Sequence, residues 1–223
     1  MSKRLYYSLI GLSILSFIGQ LLLYPSLPGS IPIHWDSGWQ VNGYAAKWAA
    51  IPIALLPLAM VLLMKVLPKI DPRRRNYDQF GDAYAVVTVA LCVLLIAATW
   101  LSAAVALGVE VNAGLVLPLL GGAVLLVLGN FMPQFRQSYF LGIRTPWTLA
   151  NAEVWRKTHR LGGLLFCMLG IAWGVSAFVP MGGIMAGLLI AVIIILFAYS
   201  YLIYQKLDQT RPGSGNDEKE SLQ

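Results

Sequence analysis

Six long apolar runs divide this sequence and limit its fold more than any other feature. They lie at residues 5–24, 48–64, 83–107, 113–132, 161–179 and 184–204. A helix of about 20 apolar residues crosses the hydrocarbon core of a bilayer, and the shortest run, 48–64, comes close to that length. Only 12% of the residues are charged, whereas a soluble domain carries about 25%. The sequence therefore predicts an all-α, polytopic membrane protein with six transmembrane helices and no large domain outside the bilayer.

The basic residues predict how these helices are oriented. All 16 Lys and Arg residues except Lys47 precede the first run or follow the second, fourth and sixth runs. Cytoplasmic loops carry the excess of Lys and Arg, so we expect both termini and the connections after spans two and four in the cytoplasm. The net charge of +6 fits this rule and attraction to anionic lipid head groups, although a basic protein can also attract nucleic acid. We expect membrane lipids as partners and no direct nucleic-acid partner.

The connection between spans one and two, residues 25–47, is rich in Pro, Gly and Trp, which predicts a compact outer lid. His34 and Asp36 are two residues apart, so in an extended segment both side chains point the same way. Two ligands are too few for a metal site, and we expect a hydrogen-bonded pair with Trp35 and Trp39 at the membrane interface. The candidate residues for contact with an external ligand are His34, Trp35, Asp36, Trp39 and Lys47.

The connection between spans four and five, residues 130–160, concentrates Arg, Trp and turn residues. Pro133 cannot continue a helix, and Asn151 is a candidate N-cap for a helix that starts at Ala152 and runs into span five. On that helix, Glu153 and Lys157 have the favourable spacing for an ion pair, and Trp155 should stack one turn before His159.

Two interpretations of this loop stay open. It is either an interfacial amphipathic helix, held at its depth by Trp and basic residues, or a polar site in which Arg144, Glu153 and His159 meet a substrate or partner. The candidate partner-binding residues are Arg136, Arg144, Trp147, Glu153, Trp155, His159 and Arg160. A second cytoplasmic cluster, Arg73, Arg74 and Arg75, is expected to contact lipid phosphates, although an acidic protein partner would suit it equally.

Small residues and prolines predict how the spans pack. Gly170 and Gly174, like Gly183 and Gly187, have the small-x-x-x-small spacing that lets helices approach closely. We expect spans five and six to form an antiparallel hairpin, and the same motifs allow a homodimer. Proline kinks in spans two and four predict a crevice between them.

Little in the sequence points to catalysis or transport. Coupled transporters place ionisable groups within their spans, and none of the six runs has Asp, Glu, Lys, Arg or His in its core. Cys92 and Cys167 fall inside spans three and five, without the spacing of a zinc site. We expect no enzyme activity, no cofactor and no metal.

Two motifs carry a resemblance to a known family. The segment 129–163 contains Arg-Thr-Pro-Trp-Thr-Leu at 144–149 and Trp-Arg-Lys-Thr-His-Arg at 155–160. It resembles the signature of the SdpI family of bacterial multispanning membrane proteins. The segments 27–47 and 68–77 are similar to the amino-terminal domain of unknown function found in many of these proteins. Together these segments indicate an amino-terminal two-span domain at 1–82, a four-span SdpI-like domain at 83–207 and a disordered tail at 208–223.

The resemblance implies a function. Its founding member gives immunity to a secreted peptide toxin, which implies an immunity protein in the bacterial cytoplasmic membrane. It further implies a signalling receptor that holds a cytosolic transcriptional repressor at the membrane. The alternative is a small membrane enzyme or transporter that acts on a lipid or peptide, built on Arg144, Glu153 and His159.

Overall fold

Six long helices and one short helix build the protein. The computed structural model describes residues 1–179, 181 and 183–209. The helices are α1 (Lys3–Leu23), α2 (Ala50–Ile70), α3 (Gly81–Ala106), α4 (Ala113–Phe131), α5 (Pro146–Ala150), α6 (Ala152–Val175) and α7 (Ile184–Gln209). All except α5 are long and apolar enough to cross a membrane, which confirms the predicted polytopic, helical fold with six spans. The division into domains at residue 82 stays a prediction, and the tail from residue 210 lies outside the described residues.

The connection between α1 and α2 folds into a hairpin, which the sequence predicted only as an ordered lid. Strands β1 (Ser30–Trp35) and β2 (Val41–Ala46) pair antiparallel, with Ser30 opposite Ala46 and Trp35 opposite Val41. Asp36 closes the turn, because its Oδ1 accepts hydrogen bonds from the backbone N–H groups of Gly38 (2.8 Å) and Gln40 (3.0 Å). The all-α prediction therefore missed a small sheet at one end of the bundle.

The molecule has two chemically different sides. We call the side that bears the hairpin and the α3–α4 and α6–α7 connections the hairpin side. The opposite side, which we call the basic side, bears the start of α1, the end of α7 and the two connections 71–80 and 132–151. Among the described residues, each Lys and Arg except Lys47 lies in a connection on the basic side or in the part of a helix nearest to that side.

Helix packing is tightest between α4 and α6, where glycines face each other. A Cβ atom added at Gly129 would lie 2.7 Å from the carbonyl oxygen of Gly163, and one added at Gly170 would lie 2.8 Å from that of Gly122. Gly170 therefore packs within the chain, and its predicted use in a homodimer is wrong. Helix α6 also packs against α7, as predicted, and Gly187 has open space around it.

Candidate functional site

A cavity of about 600 Å³ opens on the hairpin side. It lies between the hairpin turn and the ends of α4, α6 and α7, whereas we predicted a crevice between spans two and four. Trp35 and Trp39 from the hairpin face Trp173 of α6 and Met185 of α7, and polar groups come from His34, Asp36, Asn112 and Ser176. A mostly apolar lining with a few polar groups is typical of ligand-binding pockets.

The outer candidate residues do not interact as predicted. His34 Nδ1 lies 2.6 Å from Asn42 Oδ1. Asp36 Oδ1 instead accepts hydrogen bonds from backbone N–H groups of its own turn. The predicted His34–Asp36 hydrogen bond is therefore wrong, because each side chain has its own partner. Among the described residues, no group of three or more His, Cys, Asp or Glu side chains could hold a metal ion.

Lys47 does not belong to the cavity. Its Nζ donates a hydrogen bond to the carbonyl oxygen of Pro25 (3.0 Å) and lies 5.0 Å from the centre of the Tyr24 ring. These contacts close the base of the hairpin, and the ligand contact of Lys47 stays a prediction. The other four outer candidates, His34, Trp35, Asp36 and Trp39, all line the cavity.

Trp39 adopts a backbone conformation that is rare for a side chain of its size. Its φ angle is 62°, in the left-handed region that costs a non-glycine residue about 1–2 kcal/mol. The residue lies beside Gly114 at the start of α4, where an added Cβ would lie 3.5 Å from the Trp39 Cβ. The hairpin turn and α4 together therefore hold this indole against the cavity.

On the basic side, His159 and Trp155 of α6 lie beneath the connection 132–151, which we call the signature loop. His159 is fully buried, with 0% exposure, and its Nε2 accepts a hydrogen bond from the backbone N–H of Ile143 (2.9 Å). Its Nδ1 therefore carries the proton and donates to the carbonyl oxygen of Trp155 (2.8 Å). The rings of Trp155 and His159 stack with centroids 4.0 Å apart, as predicted. Because His159 has no exposed surface, the prediction that it contacts a partner is wrong. Trp155 is buried as well but lines a basic-side cleft, so its partner contact stays a prediction.

Gly142 shows why the signature loop needs a glycine. Its φ angle is 105°, a conformation that glycine adopts without steric cost. A Cβ atom there would overlap His159 Nε2 and lie 3.0 Å from the Trp155 ring. The loop backbone thus rests directly on the stacked pair.

Helix α5 attaches the signature loop to α7. Thr145 and Thr148 cap it reciprocally, and Thr145 Oγ1 lies 3.0 Å from Ser200 Oγ of α7. The ring of Trp147 packs against Phe197 and Tyr201, with centroid distances of 5.0 and 4.9 Å. Trp147 therefore packs against α7 and is half-buried, and its contact with a partner stays a prediction.

Asp71 is a buried hub that the sequence analysis missed. The residue is 2% exposed and accepts hydrogen bonds from the Arg73 N–H (2.7 Å), the Tyr77 hydroxyl (2.9 Å) and the Tyr139 N–H (2.9 Å). Burial, with the neighbouring Asp71, raises the pKa of Tyr77 to about 12, so its hydroxyl stays protonated as the donor. One sequence signal could have identified this site: Asp71 is a single acidic residue at the end of an apolar helix, between Ile70 and Pro72.

Arg73 extends this hub and does not face lipid. Its Nη2 donates to the carbonyl oxygen of Leu149 (2.8 Å), and its guanidinium lies 5.4 Å from the centre of the Tyr139 ring. The predicted phosphate contact is therefore wrong for Arg73, while Arg74 and Arg75 are exposed. Asp71 and Arg73 together join the loop after α2 to the signature loop.

The remaining polar residues of the signature region form an exposed face. Glu153 pairs with Lys157 (3.0 Å), as predicted, and with Arg156 (3.6 Å), while Arg144 Nη1 donates to the carbonyl oxygen of Tyr139 (2.6 Å). Since His159 is buried and uses other partners, the predicted polar site of Arg144, Glu153 and His159 is wrong. The exposed residues of this face are Arg136, Arg144, Glu153, Arg156 and Arg160.

These features define a polytopic α-helical membrane protein with a cavity on one side and a fixed, basic loop structure on the other. The family model of the SdpI/YfhL protein family matches residues 134–202, and that of a domain of unknown function, DUF1648, matches residues 11–61. The chain is 30% identical over 205 residues to "Immunity protein SdpI" of Bacillus subtilis (strain 168), a match that covers 88% of this chain and 94% of that protein. The chain belongs to the SdpI/YfhL protein family. No solved structure matches it.

Proposed function

We propose that this chain is a non-enzymatic immunity protein of the bacterial cytoplasmic membrane, which protects its cell from a secreted membrane-active peptide toxin. One observation carries this proposal: the similarity to an immunity protein extends over 94% of that relative at 30% identity. A shared segment alone would support only a shared fold. A match over the whole length, which includes both the hairpin and the signature loop, supports a shared activity.

The proposed orientation places the hairpin side outside the cell. The excess of Lys and Arg marks the cytoplasmic side of a membrane protein, and only Lys47 lies among the hairpin-side connections. A toxin that arrives from outside then meets the cavity first. The signature loop, on the cytoplasmic side, would not touch it directly.

We further propose that the cavity is where the toxin is engaged. Indole rings of Trp35, Trp39 and Trp173 offer large apolar surfaces with a polar N–H, a combination that suits a peptide at the membrane interface. The cavity is large enough, at about 600 Å³, for several side chains. Asp36 and Asn112 would supply the orienting polar contacts.

Survival of a sensitive bacterium tests both parts of the proposal. Cells that express the chain should survive at least one member of a panel of membrane-active peptide toxins better than cells with an empty vector. Ala186→Trp fills the cavity, because Ala186 lies in its lining, and should remove protection. Ala191→Trp is the matched control, since Ala191 is exposed on the same helix but does not line the cavity.

The outcomes separate immunity from the role of the cavity. No protection by the parent chain against any peptide of the panel would reject the immunity function. Full protection by an Ala186→Trp variant that reaches the membrane at parental abundance would reject only the cavity. Chemical alteration of a lipid or peptide by the purified protein would favour the enzyme alternative.

A signalling role is a second proposal, and the exposed basic face favours it. Arg136 and Arg156 line a cleft of about 390 Å³ with Asn76, Gln137 and Glu153, which suits an acidic segment of a cytosolic repressor. A tagged repressor encoded beside this gene should move to the membrane when toxin is added. The double variant Arg136→Gln and Arg156→Gln should leave the repressor in the cytosol while protection stays intact.

A further inference from the structure

A second cleft, on the basic side, combines two cations with apolar side chains. It has a volume of about 400 Å³ and lies between α6 and α7, lined by Lys157, Arg160, Leu161, Tyr199 and Ile203. Both cations belong to α6, and Leu161 and Ile203 are apolar. This cleft is separate from the cavity on the hairpin side.

The depth of the cleft matches the head-group region of a bilayer. Residues 161–175 of α6 carry no charge, and this stretch of helix is about 22 Å long, most of a hydrocarbon core of about 30 Å. Arg160 therefore lies where the apolar part of α6 ends. On α7, the uncharged stretch continues from Ile184 to Gln205, so Tyr199 and Ile203 lie in its last turns before Lys206.

The charge of the cleft favours an anionic ligand. Lys157 already pairs with Glu153 at 3.0 Å, but within the described part of the chain Arg160 forms no ion pair. Its side chain is exposed, so the guanidinium can present two N–H groups to a phosphate oxygen pair. Basic pockets between transmembrane helices commonly bind anionic lipid head groups.

We propose that this α6–α7 cleft is a binding site for one anionic phospholipid, with the phosphate at Arg160 and an acyl chain that runs from Leu161 toward the hydrocarbon core. The site does not rest on the immunity function. It would fix the position of α6 and α7 relative to the inner leaflet, next to the signature loop that α5 attaches to α7.

Native mass spectrometry of the purified full chain tests the proposal. Phosphatidylglycerol and phosphatidylcholine with the same acyl chains are added, and the apparent affinity for the first bound lipid is measured. Phosphatidylglycerol should bind more tightly. Arg160→Gln should weaken its binding about fivefold, which corresponds to about 1 kcal/mol per basic residue near a charged head group, and leave phosphatidylcholine unchanged.

Three controls keep the result specific. Arg156→Gln removes the same charge one turn away, outside the cleft lining, and should leave lipid binding unchanged, while Arg160→Lys keeps the charge and should retain most of it. Glycerol 3-phosphate, which has the head-group phosphate without acyl chains, should not displace the lipid. Equal affinity for the two lipids, an equal loss with Arg156→Gln, or displacement by glycerol 3-phosphate would each overturn the proposal.

Discussion

Asp71 and His159 are polar side chains in the interior of the basic side, and both accept hydrogen bonds from the backbone of the signature loop. Burial of a polar group is costly unless its hydrogen bonds are made. Here the partners are the N–H groups of Tyr139 and Ile143, which belong to the signature loop. One of the two residues precedes the loop in the sequence and the other follows it, and together they fix its backbone against the helices.

Asp71→Asn should destabilise the protein more than its small change in volume suggests. The carboxylate accepts three hydrogen bonds, whereas an amide would turn an NH₂ group toward at least one of these donors. We expect a loss of about 1–3 kcal/mol, the cost of leaving a buried polar group unsatisfied, seen as a lower Tm in detergent. Asp78→Asn is the control, because Asp78 is exposed in the same loop. An equal Tm for both variants would show that Asp71 is not a hub.

Gly142→Ala should disturb the same region for a steric reason. The left-handed backbone costs a residue with a Cβ about 1–2 kcal/mol, and the new methyl group would also overlap His159. We expect a lower Tm and a change in near-ultraviolet circular dichroism, since the methyl group would push apart the stacked Trp155 and His159. Gly29→Ala, in a loop with open space and no left-handed φ, should change neither signal; equal effects of the two substitutions would contradict the explanation.

Helices α4 and α6 approach so closely because glycines line their contact. In a bilayer, helices gain little from the hydrophobic effect when they associate, so close packing of small residues supplies much of the attraction. The aligned pairs Gly122 with Gly170 and Gly129 with Gly163 bring the two backbones together. These pairs set the distance between α4 and α6.

The glycine spacing on α6 allows a matched test. Gly170→Ala would place a methyl group 2.8 Å from the Gly122 carbonyl oxygen, whereas Gly174→Ala would meet nothing within 4 Å. We expect Gly170→Ala to cost about 1–3 kcal/mol, the usual range for an overpacked core, and Gly174→Ala to be neutral or slightly stabilising. Thermal unfolding in detergent measures both. A larger loss from Gly174→Ala would contradict the described packing.

The sequence predicts the helices of this protein better than it predicts the contacts between them. The six apolar runs, the Asn151 cap and the Glu153–Lys157 pair depend on local spacing, and the structure confirms them. The bonds of Asp71 to Tyr139 and of Arg73 to Leu149 join residues far apart in the sequence. Three consecutive arginines look alike in the sequence, so no local signal separates Arg73, which binds Leu149, from the exposed Arg74 and Arg75. The lipid contact of Arg74 and Arg75 stays a prediction.

Taken as a whole, the molecule has a cavity on one side of the membrane and a rigid loop assembly on the other. The loop after α2 and the signature loop are joined through Asp71 and Arg73, and the hairpin that follows α1 forms one wall of the cavity. The SdpI/YfhL match at residues 134–202 therefore contributes to both sides, whereas the DUF1648 match at 11–61 contributes the hairpin. The proposed function depends on which side faces out.

Labelling of single introduced cysteines determines that orientation. Ser37 is exposed in the hairpin turn, and Gln79 is exposed in the connection 71–80 on the basic side. The substitutions Ser37→Cys and Gln79→Cys leave the net charge unchanged. The positive-inside rule predicts that a membrane-impermeant maleimide labels Ser37→Cys in intact cells and Gln79→Cys only after permeabilisation. The parent chain is the background control, because Cys92 is buried and Cys167 lies within the bundle, half-buried. The reverse labelling would place the cavity in the cytoplasm. A secreted toxin could then not reach the cavity from outside. This result would reject the cavity as the toxin site even if the chain still protects cells from the toxin.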